Sequence, residues 1–500
     1  MARSLVVSWI AAVVLATAGL PVRADAPPQD AASAALLAKH HAYVGWQFGD
    51  GTFESMRITG NVTDGKGEKA DTFVMLSSGL LYHNTYTLLR RANATTHVGY
   101  TGKLFWLADS NGFPTPIYSD YAKYLASFNV LQQEGTTELP ARFIENKTVD
   151  GKTLGVVRVT LTNGDPIDCY VDPQTGAYVE ATIDPGGAYE TTLHILSYSD
   201  VVPGKKMMAS YRFGDSKITR TYEKFEPNIA VSSEDLHPPS PSATWTFGNQ
   251  DPFPITVTHD RILIDVTING VKGRFILDTG ADSIVLDDRF ADRAGVPVLK
   301  SQIEGETFSG VVKARVRRID SIQFGQATLH NALVFSQDFR DRDYRGIDRS
   351  GYDGLIGYDF FAGAVVKLDI YDAKMSVLDS STDLSAERGL PIFVDLSEEI
   401  PAIPMTLNKS IAVNAMLDTG NPGIVFVPYD LAKKHHLPVA TRGCGAIESL
   451  TIGPITYAGQ AACLGGLFDN YMLLGLDFLK HFDYVFDYPH GRMFMTPNKN

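Results

Sequence analysis

The spacing of hydrophobic positions changes several times along the chain, and each change marks a different kind of element. Residues 5–20 are almost wholly apolar, follow a single early cation at Arg3, and give way to small residues around Ala24. Residues 30–41 are alanine-rich and amphipathic, which predicts a short helix capped by Asp30. From about 46 to 226 the period shortens to two. Alternating runs at 72–76, 102–107, 155–161, 178–182 and 191–196 are separated by Asn-Gly, Asp-Gly and Pro-Gly turns, the pattern of half-buried strands. Asp172-Pro173-Gln174-Thr175-Gly176 reads as a hairpin loop with the glycine free to take positive φ, and 118–129 as a helix. The expected product is an antiparallel sheet with a helix or two on one face. Residues 225–254 are dense in proline and lack periodicity, so a linker or strap is expected, with Trp245 and Phe247 available to dock it. Beyond it the pattern is again that of strands.

Five hundred residues exceed what one core usually serves, and 44% apolar content is that of folded protein, so two or three domains are expected. The cation ahead of a short apolar run predicts a secretory signal peptide over 1–24, with an uncleaved anchor as the alternative. No later segment has the length and apolarity of a bilayer span. The expected protein is exported, periplasmic or secreted, with no stable membrane span after cleavage. A net charge of −13 argues against a nucleic-acid partner. Three cysteines make no disulfide framework, and no Cys and His spacing matches a metal motif, so neither metal nor cofactor is expected. Cys169 reads as a half-buried strand residue. The histidine pairs His40-His41 and His435-His436 read as surface or helix-end residues.

The last half of the chain repeats itself. One copy runs through Phe275-Ile276-Leu277-Asp278-Thr279-Gly280-Ala281, the other through Ala415-Met416-Leu417-Asp418-Thr419-Gly420-Asn421. Downstream stand Leu355-Ile356-Gly357-Tyr358-Asp359-Phe360 and Leu473-Leu474-Gly475-Leu476-Asp477-Phe478. Each is followed at equal spacing by a further acid, Asp369 or Asp487, and then by Lys374 or Arg492 ahead of a Met. Two copies in register predict two related units that bury their apolar faces against one another.

An apolar pair leading into Asp-Thr-Gly, with apolar-apolar-Gly later, resembles the marker of aspartic proteases of the pepsin and retropepsin type, in particular bacterial exported proteins with tandem retropepsin-like domains. The resemblance covers 255 onward. It implies a mainly β, bilobal acid-protease unit, lobe one at 255–385 and lobe two at 386–500, preceded by a separate α+β antiparallel-sheet accessory domain at 28–224 and the linker at 225–254. It also implies an aspartic endopeptidase acting on a peptide or protein substrate through Asp278 and Asp418. Thr279 and Thr419 would tie the lobes, Gly280 and Gly420 would bring backbone N–H groups to the carboxylates, and Ile356-Gly357 and Leu474-Gly475 would pass near the triplets. With both halves in one chain, dimerisation is not required. The alternative is a catalytically silent peptide-binding or envelope scaffold protein.

Ala281 and Asn421 stand where pepsin-like enzymes carry a hydroxyl. One donor fewer at each carboxylate predicts a weakly rather than strongly acidic optimum. Residues 303–319 read as a hairpin able to cover substrate as a flap, with a plain surface hairpin as the alternative, whereas the second copy offers only 443–448 in that place. Cys444 and Cys463 are expected to pair in an oxidising compartment, with two buried thiols as the alternative. Residues 337–351, rich in Asp and Arg, read as a solvated loop. Asp359 and Asp477 are expected to cap or brace the turns after the glycines.

Overall fold

The computed structural model describes residues 29–498 apart from 188, 308–309, 340–350, 390, 440–442 and 466–470. The expected signal peptide lies outside the described residues, as do most of the 337–351 stretch and the tip of the hairpin at 308–309. Among the described residues no helix is long and apolar enough to cross a membrane. The architecture is mainly β.

The N-terminal part is one thirteen-stranded antiparallel sheet. Six strands from Ser55–Thr63 to Pro114–Ile117 run as a meander, and seven more follow from Ala141–Val149 to Thr219–Pro227. The last strand pairs with the first, Val62 opposite Arg220 and Gly60 opposite Tyr222, so the two meanders become a single sheet. Gly60 is required there, since a Cβ would fall 2.2 Å from the Thr221 carbonyl oxygen and 2.4 Å from the Phe73 ring. Two helices line this sheet. Helix α1, Ala31–Val44, is capped by Asp30, whose carboxylate accepts from the N–H groups of Ala32 and Ser33. It ends at Gly45 with φ of 79°, where a Cβ would strike the Gly204 carbonyl. Helix α2, Asp120–Gln132, joins the two meanders. Leu37 and Val44 of α1 share a core with strand residues such as Ile58, Phe73, Val157 and Leu193.

The proline-rich segment is less of a linker than its composition suggests. Strand Thr219–Pro227 extends into it, Thr244–Thr246 pairs with Ala327–His330, and Phe253–Pro254 pairs with Lys374–Leu378. Trp245 does dock the strap, lying against Phe247, Phe324 and Phe360. Prolines occupy ends and edges of these short strands, where a missing N–H breaks no central ladder.

In the C-terminal part an eleven-stranded sheet is built around the first copy, and six strands from Ala402–Leu407 to Tyr471–Gly475 close into a barrel around the second. A six-stranded sheet joins them. In it the hairpin Val365–Asp369 with Lys374–Leu378 from one copy meets Phe482–Asp487 with Arg492–Pro497 from the other, Val366 opposite Phe486. One apolar core runs through both copies, from Ile264 and Phe275 to Leu417 and Leu474. The equal spacing of the repeat thus becomes equal pairing.

Candidate active site

Each Asp-Thr-Gly turn is delivered by a strand that pairs in parallel with its own apolar-Gly segment. Val271–Leu277 runs beside Gly354–Ile356, and Ile411–Asp418 beside Tyr471–Gly475. The N–H of Asp278 donates to the Ile356 carbonyl at 2.9 Å, and the residues after the triplets fold back over the glycines. The Ala281 carbonyl accepts from Tyr358 at 2.9 Å and the Asn421 carbonyl from Leu476 at 2.7 Å. Only glycine fits below these loops. A Cβ on Gly357 would lie 2.4 Å from the carbonyl oxygens of Ala281 and Ser283, and one on Gly475 2.2 Å from that of Gly423. The paired sequence elements, 279 with 357 and 419 with 475, therefore form two copies of one local structure.

The two turns meet tip to tip. The Thr279 hydroxyl donates to the Leu417 carbonyl at 2.7 Å and accepts from the Thr419 N–H at 3.0 Å. The Thr419 hydroxyl donates to the Leu277 carbonyl at 2.7 Å and accepts from the Thr279 N–H at 3.1 Å. Both threonines are 1% exposed, so each of these four bonds is made without competition from water. A Cβ on Gly280 would fall 2.4 Å from the carboxyl carbon of Asp418, and one on Gly420 2.2 Å from that of Asp278. Each carboxyl group thus rests on the glycine of the opposite turn.

The Gly280 N–H donates to Asp278 Oδ1 at 3.0 Å, and the Asn421 N–H to Asp418 Oδ1 at 3.0 Å. Burial, then the adjacent charge of Asp278, hold Asp418 well above the usual carboxylate range. Two acids so placed can share a proton, an arrangement in which one member is able to accept a proton and the other to donate one. Asn421, the departure from the pepsin pattern, turns its side chain onto its own loop and accepts from the Gly423 N–H at 2.8 Å.

The acids after the glycines have separate fates. Asp359 is buried and accepts from the Ile284 N–H at 2.8 Å and from Asn111 Nδ2 at 2.9 Å, bracing the first turn. Asp477 pairs with Lys480 at 2.6 Å on the surface. The segment 303–319 forms the expected hairpin from Val298–Thr307 and Gly310–Arg318. The place it would occupy in the second copy is taken by the end of the Cys444–Ile452 and Ile455–Leu464 hairpin, where Cys444 and Cys463 are paired as a disulfide.

The N-terminal sheet also reaches this region. Arg91 lies over the Phe335 ring and forms ion pairs with Asp282 at 3.6 Å and Glu399 at 3.9 Å. Lys300 of the hairpin donates to the Leu89 carbonyl, and Ala92 and Ala94 pack against the small apolar cluster that includes Ile303, Val316 and Phe335. Asn111 binds the Leu333 backbone as well as Asp359. None of Arg91, Asp109, Asn111 or Glu399 stood out in the sequence, because an isolated loop residue carries no local sign of a partner two or three hundred positions away.

Two sequence expectations are corrected. His40 is fully buried rather than at the surface, with Nε2 2.8 Å from Glu134 and Nδ1 3.0 Å from the Gly176 carbonyl, and it stacks on Tyr178. Paired hydrogen bonds at both ring nitrogens make that burial affordable, and α1 places the ring inside the sheet. Cys169 is wholly rather than half buried, and burial pushes its thiol far up, away from nucleophilic chemistry. Among the described residues no cluster of His, Cys, Asp and Glu has the arrangement to hold a metal ion.

A family model described as aspartyl protease matches residues 264–360. The match contains Asp278-Thr279-Gly280 and Ile356-Gly357 and stops short of Asp418. No curated protein matches the chain.

Proposed function

We propose that this chain is an aspartic endopeptidase that hydrolyses peptide bonds with a water activated by Asp278 and Asp418. The observation that carries the reading is the reciprocal seating of each carboxyl on the opposite turn's glycine, locked by four hydrogen bonds between Thr279 and Thr419 and the facing strands. An ordinary pair of surface turns has no need of such a lock. The first copy's family match supports the same chemistry.

In this reading the charged member of the pair takes a proton from a water held between the carboxyls as its oxygen attacks the scissile carbonyl carbon. The protonated member hydrogen-bonds the carbonyl oxygen and stabilises the tetrahedral diol. Collapse of the diol breaks the C–N bond, the leaving amine takes the proton that the base had received, and a diol hydroxyl returns its proton to the member that had protonated the carbonyl oxygen. No covalent intermediate forms. Raised proton affinity at Asp418 favours the half-protonated pair under weakly acidic conditions. The proposal extends to two lobes, 255–385 and 386–500, derived from a duplication, to an accessory domain at 28–224, to export after signal cleavage, and to action without dimerisation.

Incubation of the purified mature chain with a diverse peptide pool between pH 3 and 8 tests the chemistry. Asp278→Asn and Asp418→Asn are each expected to lower cleavage by at least about a thousandfold. Cleavage that survives either change in a folded variant eliminates the dyad, and absence of cleavage in the wild type against every peptide favours a scaffold that binds without reacting.

A further inference from the structure

One face of the thirteen-stranded sheet and helix α2 line a cavity of about 240 Å³ that shares no lining residue with the Asp-Thr-Gly turns. Seven of its fifteen lining residues are aromatic, Tyr82, Tyr86, Tyr124, Phe128 and Phe213 among them. Two polar groups in it lack what their chemistry calls for. Arg220 stands at one end with its guanidinium 5.3 Å from the Phe213 ring centre and beside the Tyr86 hydroxyl. Among the described residues no carboxylate lies within ion-pair distance of it, although Asp71 stands two strands away across Val62. Asn84 is 6% exposed, lines the same cavity, and its Oδ1 has no hydrogen-bond donor.

A half-buried cation bonded to a tyrosine hydroxyl, with its nearest carboxylate, Asp71, acting on it from two strands away, and a buried acceptor without a donor are each short of a partner that a ligand could supply. Tyr82, Asn84 and Tyr86 alternate along the strand Leu81–Leu88, so all three point into the cavity. Asn84 and Tyr86 are therefore roughly 7 Å apart along the strand, with Arg220 one hydroxyl further on. An aromatic ring on a short tether spans that interval. We infer that this cavity is a binding site for a small aryl carboxylate bearing a hydroxyl or amine donor at the end opposite the carboxylate. The carboxylate pairs with Arg220, the ring lies among the tyrosines and phenylalanines, and the distal donor reaches Asn84. This site belongs to the N-terminal sheet and does not depend on the peptidase reading.

Titration calorimetry on the full mature chain at pH 7 tests it with three probes. They are 3-(4-hydroxyphenyl)propionate, its carboxamide, which removes the charge, and 3-phenylpropionate, which removes the donor. The complete probe is expected to bind with a dissociation constant below about 1 mM, at least tenfold more tightly than the amide and several-fold more tightly than the ring without a hydroxyl. Arg220→Gln removes the preference for acid over amide, and Arg220→Lys, which keeps the charge, retains part of it. A cooperative melt of each variant shows that the fold is intact. Equal binding of acid and amide by the wild type, no binding of the complete probe at 10 mM, or an acid preference that survives in folded Arg220→Gln each overturns the assignment. Peptide cleavage measured on the same variants is expected to be unchanged, which separates this site from the aspartates.

Discussion

The two Asp-Thr-Gly turns share their inner surface and differ in what holds them from behind. Towards one another they are equivalent, with each threonine bonded across the junction and each glycine carrying the other turn's carboxyl. Behind the first turn, Asp359 is 4% exposed, binds Ile284, and is itself held by Asn111 from the N-terminal sheet. Behind the second, Asp477 faces Lys480 with its side chain 42% exposed, and the bracing is done within the loop by Asn421 on Gly423. The comparison separates what the proposed chemistry demands from what one particular chain adds. The inner face is constrained twice over, whereas the outer face is free to be supported by whatever packs there. In this molecule the support behind the first turn, Asp359, is held by Asn111, 248 positions earlier in the chain.

The sharpest way to probe the shared surface is to place a methyl group on each glycine. Gly280→Ala and Gly420→Ala would each drive a Cβ against the opposite carboxyl carbon, at 2.4 and 2.2 Å, and force the acids apart. A displacement of about 1 Å at reacting groups removes on the order of a hundredfold in rate. Both variants are expected to lose peptide cleavage by that factor or more while keeping a cooperative melt. Comparable losses on the two sides support equivalence. A large loss on one side alone would break it.

Next in size is the contrast between the two outer acids. Asp359→Ala leaves the Ile284 N–H and the Asn111 amide without acceptors in a buried site, which costs about 2–4 kcal/mol, whereas Asp477→Ala removes a surface ion pair contributing under about 1 kcal/mol. Denaturant melts of the two variants measure this directly. Equal destabilisation would mean that the sequence match between these acids reflects one shared role.

That contrast also marks the limit of what the sequence discloses. The strand, turn and glycine around Asp278 and Asp418 are legible because each depends on neighbours within a few positions and is written twice. The same holds for the Asp30 cap of α1 and for the loop ending at Gly176, where φ is 86°. Asp359 and Asp477 look alike for the same reason, yet only one is buried, because the difference lies in Asn111, 248 positions distant. His40 shows the converse case. Its neighbour His41 and the helix end suggest a surface, and only the approach of Glu134 and Gly176 makes the interior available. The proline-rich strap carries short edge strands that its composition does not announce, since they need only a few backbone bonds that proline does not interrupt.

The smallest expected effect is a pH dependence of stability confined to the first turn's support. Asp109 and Asp359 are buried and Glu399 lies beside them half-buried, its side chain 21% exposed, with Asp282, Glu398 and Arg91 as the other charged groups acting on them. Burial, then the charge of Glu399, push Asp109 from 3.8 to about 7. Burial, against the pull of Arg91, pushes Glu399 from 4.5 to about 8. Asp109 Oδ1 accepts from the N–H groups of Asn111 and Phe113, but its buried Oδ2 has no partner, which suits a protonated acid. Between the unfolded and folded values the native chain binds more protons than the unfolded one, so stability falls as pH rises. The support is fully present below about pH 4 and is lost as pH passes through 7 and 8. Melting temperature is expected to drop by about 3–6 °C between pH 5 and 8.5 from these groups, and Asp109→Asn, which keeps the Oδ1 bonds without a charge, flattens that drop. Because among the described residues no matching acids stand behind the second turn, a charge-neutral substitution of Asp477 leaves the slope unchanged. A slope that responds to Asp477 and ignores Asp109 would place the titrating groups elsewhere and remove the asymmetry between the two supports.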